Sequence, residues 1–102
     1  MQLSRTEAVR AALAATNGTH GQKSVTGTSA PLTTDTTSGF HGVAVKALAS
    51  NTATVFVGIG TVAEADGMEL NPGEGVTIDI DKASSVQVIT GTATQTVSYI
   101  LT

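Results

Sequence analysis

Hydrophobic and polar residues alternate with a period of two through residues 40–102. His41 to Ala49 places Val43, Val45 and Ala47 on one face, and Thr54 to Gly60 places Val55, Val57 and Ile59 on one face with Phe56 on the other. Val76, Ile78 and Ile80 alternate with Thr77, Asp79 and Asp81. Val86 and Val88 fall together within Ser85 to Thr90, as do Val97, Tyr99 and Leu101 within Thr96 to Leu101. Successive side chains of a strand point to opposite faces, so this rhythm predicts strands with one buried face and one wet face. Turn residues separate the runs at Ser50-Asn51, Ala65-Asp66-Gly67, Asn71-Pro72-Gly73, Asp81-Lys82 and Gly91-Thr92. Short strands at this spacing, without intervening helices, predict a mainly β fold: an antiparallel sandwich or barrel over residues 40–102.

One turn is specified more closely than the others. Pro72 sets φ near −65° at the second position, and Gly73 accepts a positive φ at the third, which together predict a type II turn. Leu70 then points inward as the chain reverses, and a β-branched residue in place of Gly73 would be strained.

The first 39 residues follow a different pattern. Residues 1–17 read as a short helix. Ser4 and Glu7 have capping-box spacing, Leu3 and Ala8 sit at staple positions, and Asn17-Gly18 supplies a left-handed stop. Alanines at 8, 11, 12, 14 and 15 are strong helix formers, but the apolar stripe is thin: Val9, Ala12 and Leu13. A helix this short is marginal alone in water, so it is expected to dock on its own domain or on a neighbour. Residues 18–39 are rich in Gly, Ser and Thr and read as an extended arm. A strand within Lys23 to Leu32 is available to join the sandwich. Fully extended, the arm would span roughly 65–70 Å, enough to cross onto another molecule. Leu3, Val9 and Leu13 on the helix, and Val25 and Leu32 on the arm, are therefore the expected partner contacts.

Composition narrows the function classes. A chain of 102 residues supports one domain. Phe40, Phe56 and Tyr99 are its only aromatic residues, so the core must be aliphatic, and so few large side chains imply help from oligomerisation. Charged residues make up only 13%, and such a weakly charged surface suits burial against another protein. A net charge of −3, with Arg5, Arg10, Lys23, Lys46 and Lys82 scattered, argues against nucleic acid as partner. The absence of cysteine excludes disulfides and thiolate metal sites. No apolar run approaches the ~20 residues needed to cross a bilayer, and the start Met-Gln-Leu-Ser-Arg lacks a signal-peptide core. Synthesis in the cytoplasm without membrane association is expected.

From about Ser24 to Ile100, some three quarters of the chain, the sequence resembles a family of small β-sandwich virion proteins of tailed phages, of the head decoration, stabilisation or fibre type. Ser24-Val25-Thr26 through Ala30-Pro31-Leu32 resembles that family's first strand. Val43-Ala44-Val45-Lys46-Ala47 with Asn51-Thr52 resembles the next strand and turn, and Val55-Phe56-Val57-Gly58 the central strand. Gly67-Met68-Glu69-Leu70-Asn71-Pro72-Gly73-Glu74 matches its G-x-x-L-x-P-G-E turn, in which Gly67, Leu70, Pro72 and Gly73 are the structural positions. Val76-Thr77-Ile78-Asp79-Ile80 and Val97-Ser98-Tyr99-Ile100 complete the likeness. The resemblance implies a virion location, assembly on a phage particle as a homo-oligomer, often a trimer, and contact with the major capsid protein or another virion protein. It implies no catalysis and does not cover residues 1–23.

Candidate chemistry is sparse. Ser98, His41 and Asp79 supply the residue types of a hydrolytic triad, but no nucleophile-elbow sequence surrounds any serine. Gly58-Ile59-Gly60 and Gly73-Glu74-Gly75 lack phosphate-loop spacing. Asp79 and Asp81 share a face and, with Glu74 or Asp66, resemble a start on a calcium site, yet too few oxygens are present for the six to eight that Ca²⁺ takes. His20 and His41 have no third ligand at zinc spacing, and Asn17-Gly18-Thr19 is accounted for as a helix stop. No enzyme activity, cofactor or metal is expected. The expected function is a capsid decoration or cement protein. The alternative is a sandwich module that binds a glycan or host receptor through Glu64, Asp66, Asn71 and Glu74; the scarcity of aromatic rings weakens it.

Overall fold

Eight strands carry the fold of residues 20–91 and 93–102, the residues described by the computed structural model of the chain. They are β1 (His20–Val25), β2 (Ala30–Pro31), β3 (Val43–Ala47), β4 (Val55–Ile59), β5 (Met68–Leu70), β6 (Gly75–Ile78), β7 (Val86–Thr90) and β8 (Gln95–Leu101), with a 3₁₀ turn at Ala83–Ser85. Two four-stranded antiparallel sheets result: a front sheet in the order β1-β8-β3-β6 and a back sheet in the order β2-β7-β4-β5. The pairs β1–β8, β2–β7, β3–β6 and β4–β5 are the rungs of one long hairpin whose tip lies between β4 and β5. Rolling that hairpin lays β8 against β3 and β7 against β4. This is the wiring of an eight-stranded jelly roll, a sandwich built from two Greek keys.

The rhythm of the sequence is what the two sheets use. Val43, Val45 and Ala47 of β3 face inward opposite Leu101, Tyr99 and Val97 of β8, and Val55 and Val57 of β4 lie opposite Thr90 and Val88 of β7. All are buried, and together with Val86, Leu70 and Phe40 they form one core between the sheets. Valine suits this position because its branched Cβ fills a pleated surface in few rotamers. Each fully buried valine contributes about 1.5–3 kcal/mol.

The arm reading needs correction. Within residues 20–32 the chain is not free to reach a neighbour. β1 pairs with β8 along its whole length, β2 pairs with β7, and Leu32 N–H donates to Val86 O at 2.9 Å. Val25 and Leu32, expected at a partner surface, are 1% and 2% exposed and plug this chain's own core. The cause is backbone satisfaction: β8 and β7 each need a hydrogen-bonding neighbour on their outer side, and a Gly/Ser/Thr-rich segment provides one as well as an apolar segment does. The single strand expected over Lys23 to Leu32 divides, because the chain passes from the front sheet to the back sheet between β1 and β2. The helix expected over residues 1–17, with Leu3, Val9 and Leu13, lies outside the described residues.

The predicted type II turn is present. Gly73 has φ +88°, and Glu74 N–H donates to Asn71 O at 2.9 Å. The turn carries the chain from β5 in the back sheet to β6 in the front sheet, and Gly73 N–H docks it onto Ala47 O at 2.9 Å. Leu70 is buried, as the reversal requires.

Candidate functional site

The two outward faces of the sandwich differ. On the front sheet, register places His20, Ile100, Ala44 and Thr77 in one row across the four strands, and Gln22, Ser98, Lys46 and Gly75 in the next. Small side chains at Ala44, Ser98 and Gly75 leave a shallow floor, and the face holds an open groove of about 650 Å³. Ile100 stands in it 52% exposed. Beneath the rim, the Tyr99 ring packs across Gly21: a Cβ at Gly21 would sit 2.7 Å from the phenol oxygen, so the glycine is what admits the ring.

On the back sheet, residues 60–67 fold over the outward face. Gly60 turns the chain at φ +75° and its N–H donates to Ser85 O at 2.9 Å. Val62 then lies on Gly58, only 4% exposed though it belongs to no part of the core between the sheets. A Cβ at Gly58 would come within 2.9 Å of Val62 Cγ2, and one at Gly67 within 2.7 Å of Phe56 Cβ and 2.8 Å of Val62 Cγ2. Ser29 Oγ clips the loop down by donating to Gln87 Oε1 (2.7 Å) while accepting from Val62 N–H (3.0 Å). Beside this loop, Ile59 and Met68 remain exposed. They follow the inward row, Met68 opposite Val57 and Ile59 two residues on, and form an apolar lip where the sandwich ends.

The acidic and polar loop residues serve the backbone. Asp66 Oδ1 accepts from Ala63 N–H at 2.8 Å, Glu74 Oε1 from Asn71 N–H at 2.7 Å, and Asn71 Oδ1 from the Thr54 hydroxyl at 2.9 Å. The Glu64 carboxylate lies against Gly91. Among the described residues no three of His, Cys, Asp and Glu gather as a metal site. Asp35 accepts from both the backbone N–H (2.9 Å) and the hydroxyl (2.6 Å) of Thr37. The Thr37 hydroxyl first, and its N–H second, hold the Asp35 carboxyl below the usual aspartate range. Ser98 lies opposite Lys46 of β3, five residues along the chain from His41, a separation of roughly 16 Å in extended chain. The triad types are not brought together.

Of the turn residues singled out by sequence, Leu70, Pro72 and Gly73 belong to the corner between the sheets, whereas Gly67 anchors the loop over the back face. Two polar residues carry more structure than their sequence context announced. Gln95 is buried. Its Oε1 accepts from Thr52 N–H (2.8 Å) and Ala53 N–H (3.2 Å), and its Nε2 donates to Ala93 O (2.7 Å) and Thr52 Oγ1 (3.3 Å). Asn51 pairs with the backbone of Thr96 in both directions, donating to its O at 2.8 Å and accepting from its N–H at 3.0 Å. The signal for Gln95 was its place in the inward alternation with Val97 and Tyr99.

No family model, curated protein or solved structure matches the chain.

Proposed function

We propose that this chain is a structural protein of a tailed-phage particle, a capsid decoration or cement protein. It assembles as a homo-oligomer, with a trimer as the expected state, and binds the major capsid protein or another virion protein without catalysis. The observation that carries the reading is the stretch Gly67 to Glu74. It resembles the characteristic turn of the phage family, and in this chain it forms the corner between the two sheets of a jelly roll. Jelly rolls recur in capsid proteins. A weakly charged surface with an apolar lip at Ile59 and Met68 supports protein contact. Each 100 Å² of apolar surface buried there contributes about 2.5 kcal/mol before ordering costs. The glycan or receptor alternative draws less support, because Asp66, Asn71 and Glu74 already hold their own turns.

The test is made on particles purified from the phage that encodes the chain. Quantitative mass spectrometry is expected to find it in a fixed whole-number ratio to the shell protein. Ile59→Asp with Met68→Asp should lower that ratio while leaving the thermal melt of the free protein cooperative. Particles that never contain the chain would remove the proposal, and specific retention on a glycan array would then favour the alternative.

A further inference from the structure

Among the described residues the two sheets end in four edge strands, β1 and β6 in front and β2 and β5 behind. An edge strand offers its outer backbone groups to any other chain, and proteins guard such edges with proline, inward charges or very short strands. Three of the four carry a guard. β1 turns Lys23 to the inward side, opposite the buried Val97. β2 is two residues long, and one of them is Pro31, which has no N–H to donate. β5 is three residues long, and the amides that flank it, Gly67 and Asn71, are taken by Ala63 O and Glu74 Oε1. β6, Gly75–Ile78, holds neither proline nor charge. Ala47 N–H donates to Glu74 O at 2.9 Å. By strand alternation Val76 and Ile78 then bond to β3, and the N–H and C=O groups of Gly75 and Thr77 point to the open edge. Val76 and Ile78 also stay half-buried, whereas Val45 and Val43, which they pair with on β3, are fully covered.

We propose that β6 pairs with β6 of a second copy, antiparallel about a twofold axis at Thr77, so that two front sheets become one. The edge is complementary to itself in this register. Thr77 exchanges both backbone hydrogen bonds with Thr77 of the second copy, Val76 meets Ile78 on the inward side, and Asp79 falls opposite Gly75 rather than another Asp79. A bend closed by Ile80 N–H on Ile78 O ends the strand at Asp79, which therefore makes contact through its carboxylate rather than its backbone. Lys46 lies beside Gly75 on β3. It stands ~10 Å at Cα from Asp79 of the second copy, with only a glycine between, within reach of an ion pair. Within the described residues of one chain, neither Lys46 nor Asp79 makes an ion pair. The charges thus favour a second copy over an unrelated strand. This contact goes beyond the particle reading and does not rest on it, for it adds a twofold where the phage likeness implies a trimer.

The test is sedimentation of the full chain over a range of concentrations. An assembly with an even number of chains is expected. Thr77→Lys sets two like charges face to face on the axis and should raise the dissociation constant at least about tenfold. Gln22→Lys puts the same charge on the opposite edge of the same sheet and should leave the assembly unchanged. Lys46→Asp and Asp79→Lys should each weaken it, and the two together should restore it to within about threefold of the unsubstituted chain. The Thr77 amide should exchange more slowly as protein concentration rises. If Thr77→Lys does not melt cooperatively, the charge swap decides alone. A monomer at every concentration, a trimer, or an assembly that Thr77→Lys leaves intact would overturn the pairing, as would a double swap no better than its singles. Incorporation into particles is scored separately, so a trimer found on particles would remove this contact and leave the particle reading standing.

Discussion

The outward faces of the front and back sheets start from the same alternation and end differently. Both were expected to be wet. Among the described residues no loop covers the front face, where Gln22, Ser98, Lys46 and Thr77 surround an open groove. The back face is dry at its centre, because residues 60–67 press Val62 onto Gly58 and beside Phe56. Alternation thus fixes which side of a strand faces the core. Whether the other side meets water depends on where a loop can come close, and here two glycines decide that.

Substitutions that add or remove volume on the two faces should separate them. The largest effect is expected from Gly67→Val, whose Cβ would meet Phe56 and Val62 well inside contact distance. It should lower stability by about 2–3 kcal/mol, read as a shift in the urea midpoint. Ala44→Val, a similar enlargement on the face that no described loop covers, should stay within about 0.5 kcal/mol. Equal effects would mean that the loop does not cover the back sheet. Next, Val62→Ala should cost about 1–2 kcal/mol and speed exchange of the Gly67 amide, which is bonded to Ala63 O. Gly73→Val should cost a similar ~1–2 kcal/mol, through its positive φ alone, since nothing lies within 4 Å of the site a Cβ would occupy. Gly91→Ala should cost less than about 0.5 kcal/mol, because only the flexible end of Glu64 has to swing aside.

The smallest effect is a titration remote from both faces. The Asp35 carboxyl titrates below its ordinary value because Thr37 hydrogen-bonds the charged form. A lowered folded-state value stabilises above the unfolded aspartate pKa, and that stabilisation disappears as pH falls through the folded value. The NMR midpoint of Asp35 should therefore lie under the usual ~3.9, and Thr37→Val should return it most of the way. An unchanged midpoint in Thr37→Val would remove the hydroxyl as the cause.

The central strands were legible because each carries two or three aliphatic residues at alternate positions. The runs expected from His41, Thr54, Ser85 and Thr96 correspond to β3, β4, β7 and β8. Of the outer strands, only β6 was, through Val76 and Ile78; β1, β2 and β5 were not. β1 has Val25 as its only aliphatic residue, and β2 and β5 are two and three residues long, too short to show a period. Such strands form by pairing with a neighbour already in place, a cause that local sequence does not record. The turn at Asn71 to Glu74 was legible in full because Pro72 and Gly73 state its backbone angles directly. The cover over the back face was not, since a glycine that makes room reads the same as a glycine that makes a bend.

The rolled hairpin also constrains how the protein is made. β8, the strand furthest along the chain, is an inner strand of the front sheet and holds β1 and β3 together. A nascent chain leaving the ribosome therefore cannot close that sheet until residues 95–101 have emerged, and until then β1 and β3 have lost their shared neighbour. Folding should be slow and cooperative, as expected when contacts join distant parts of the sequence.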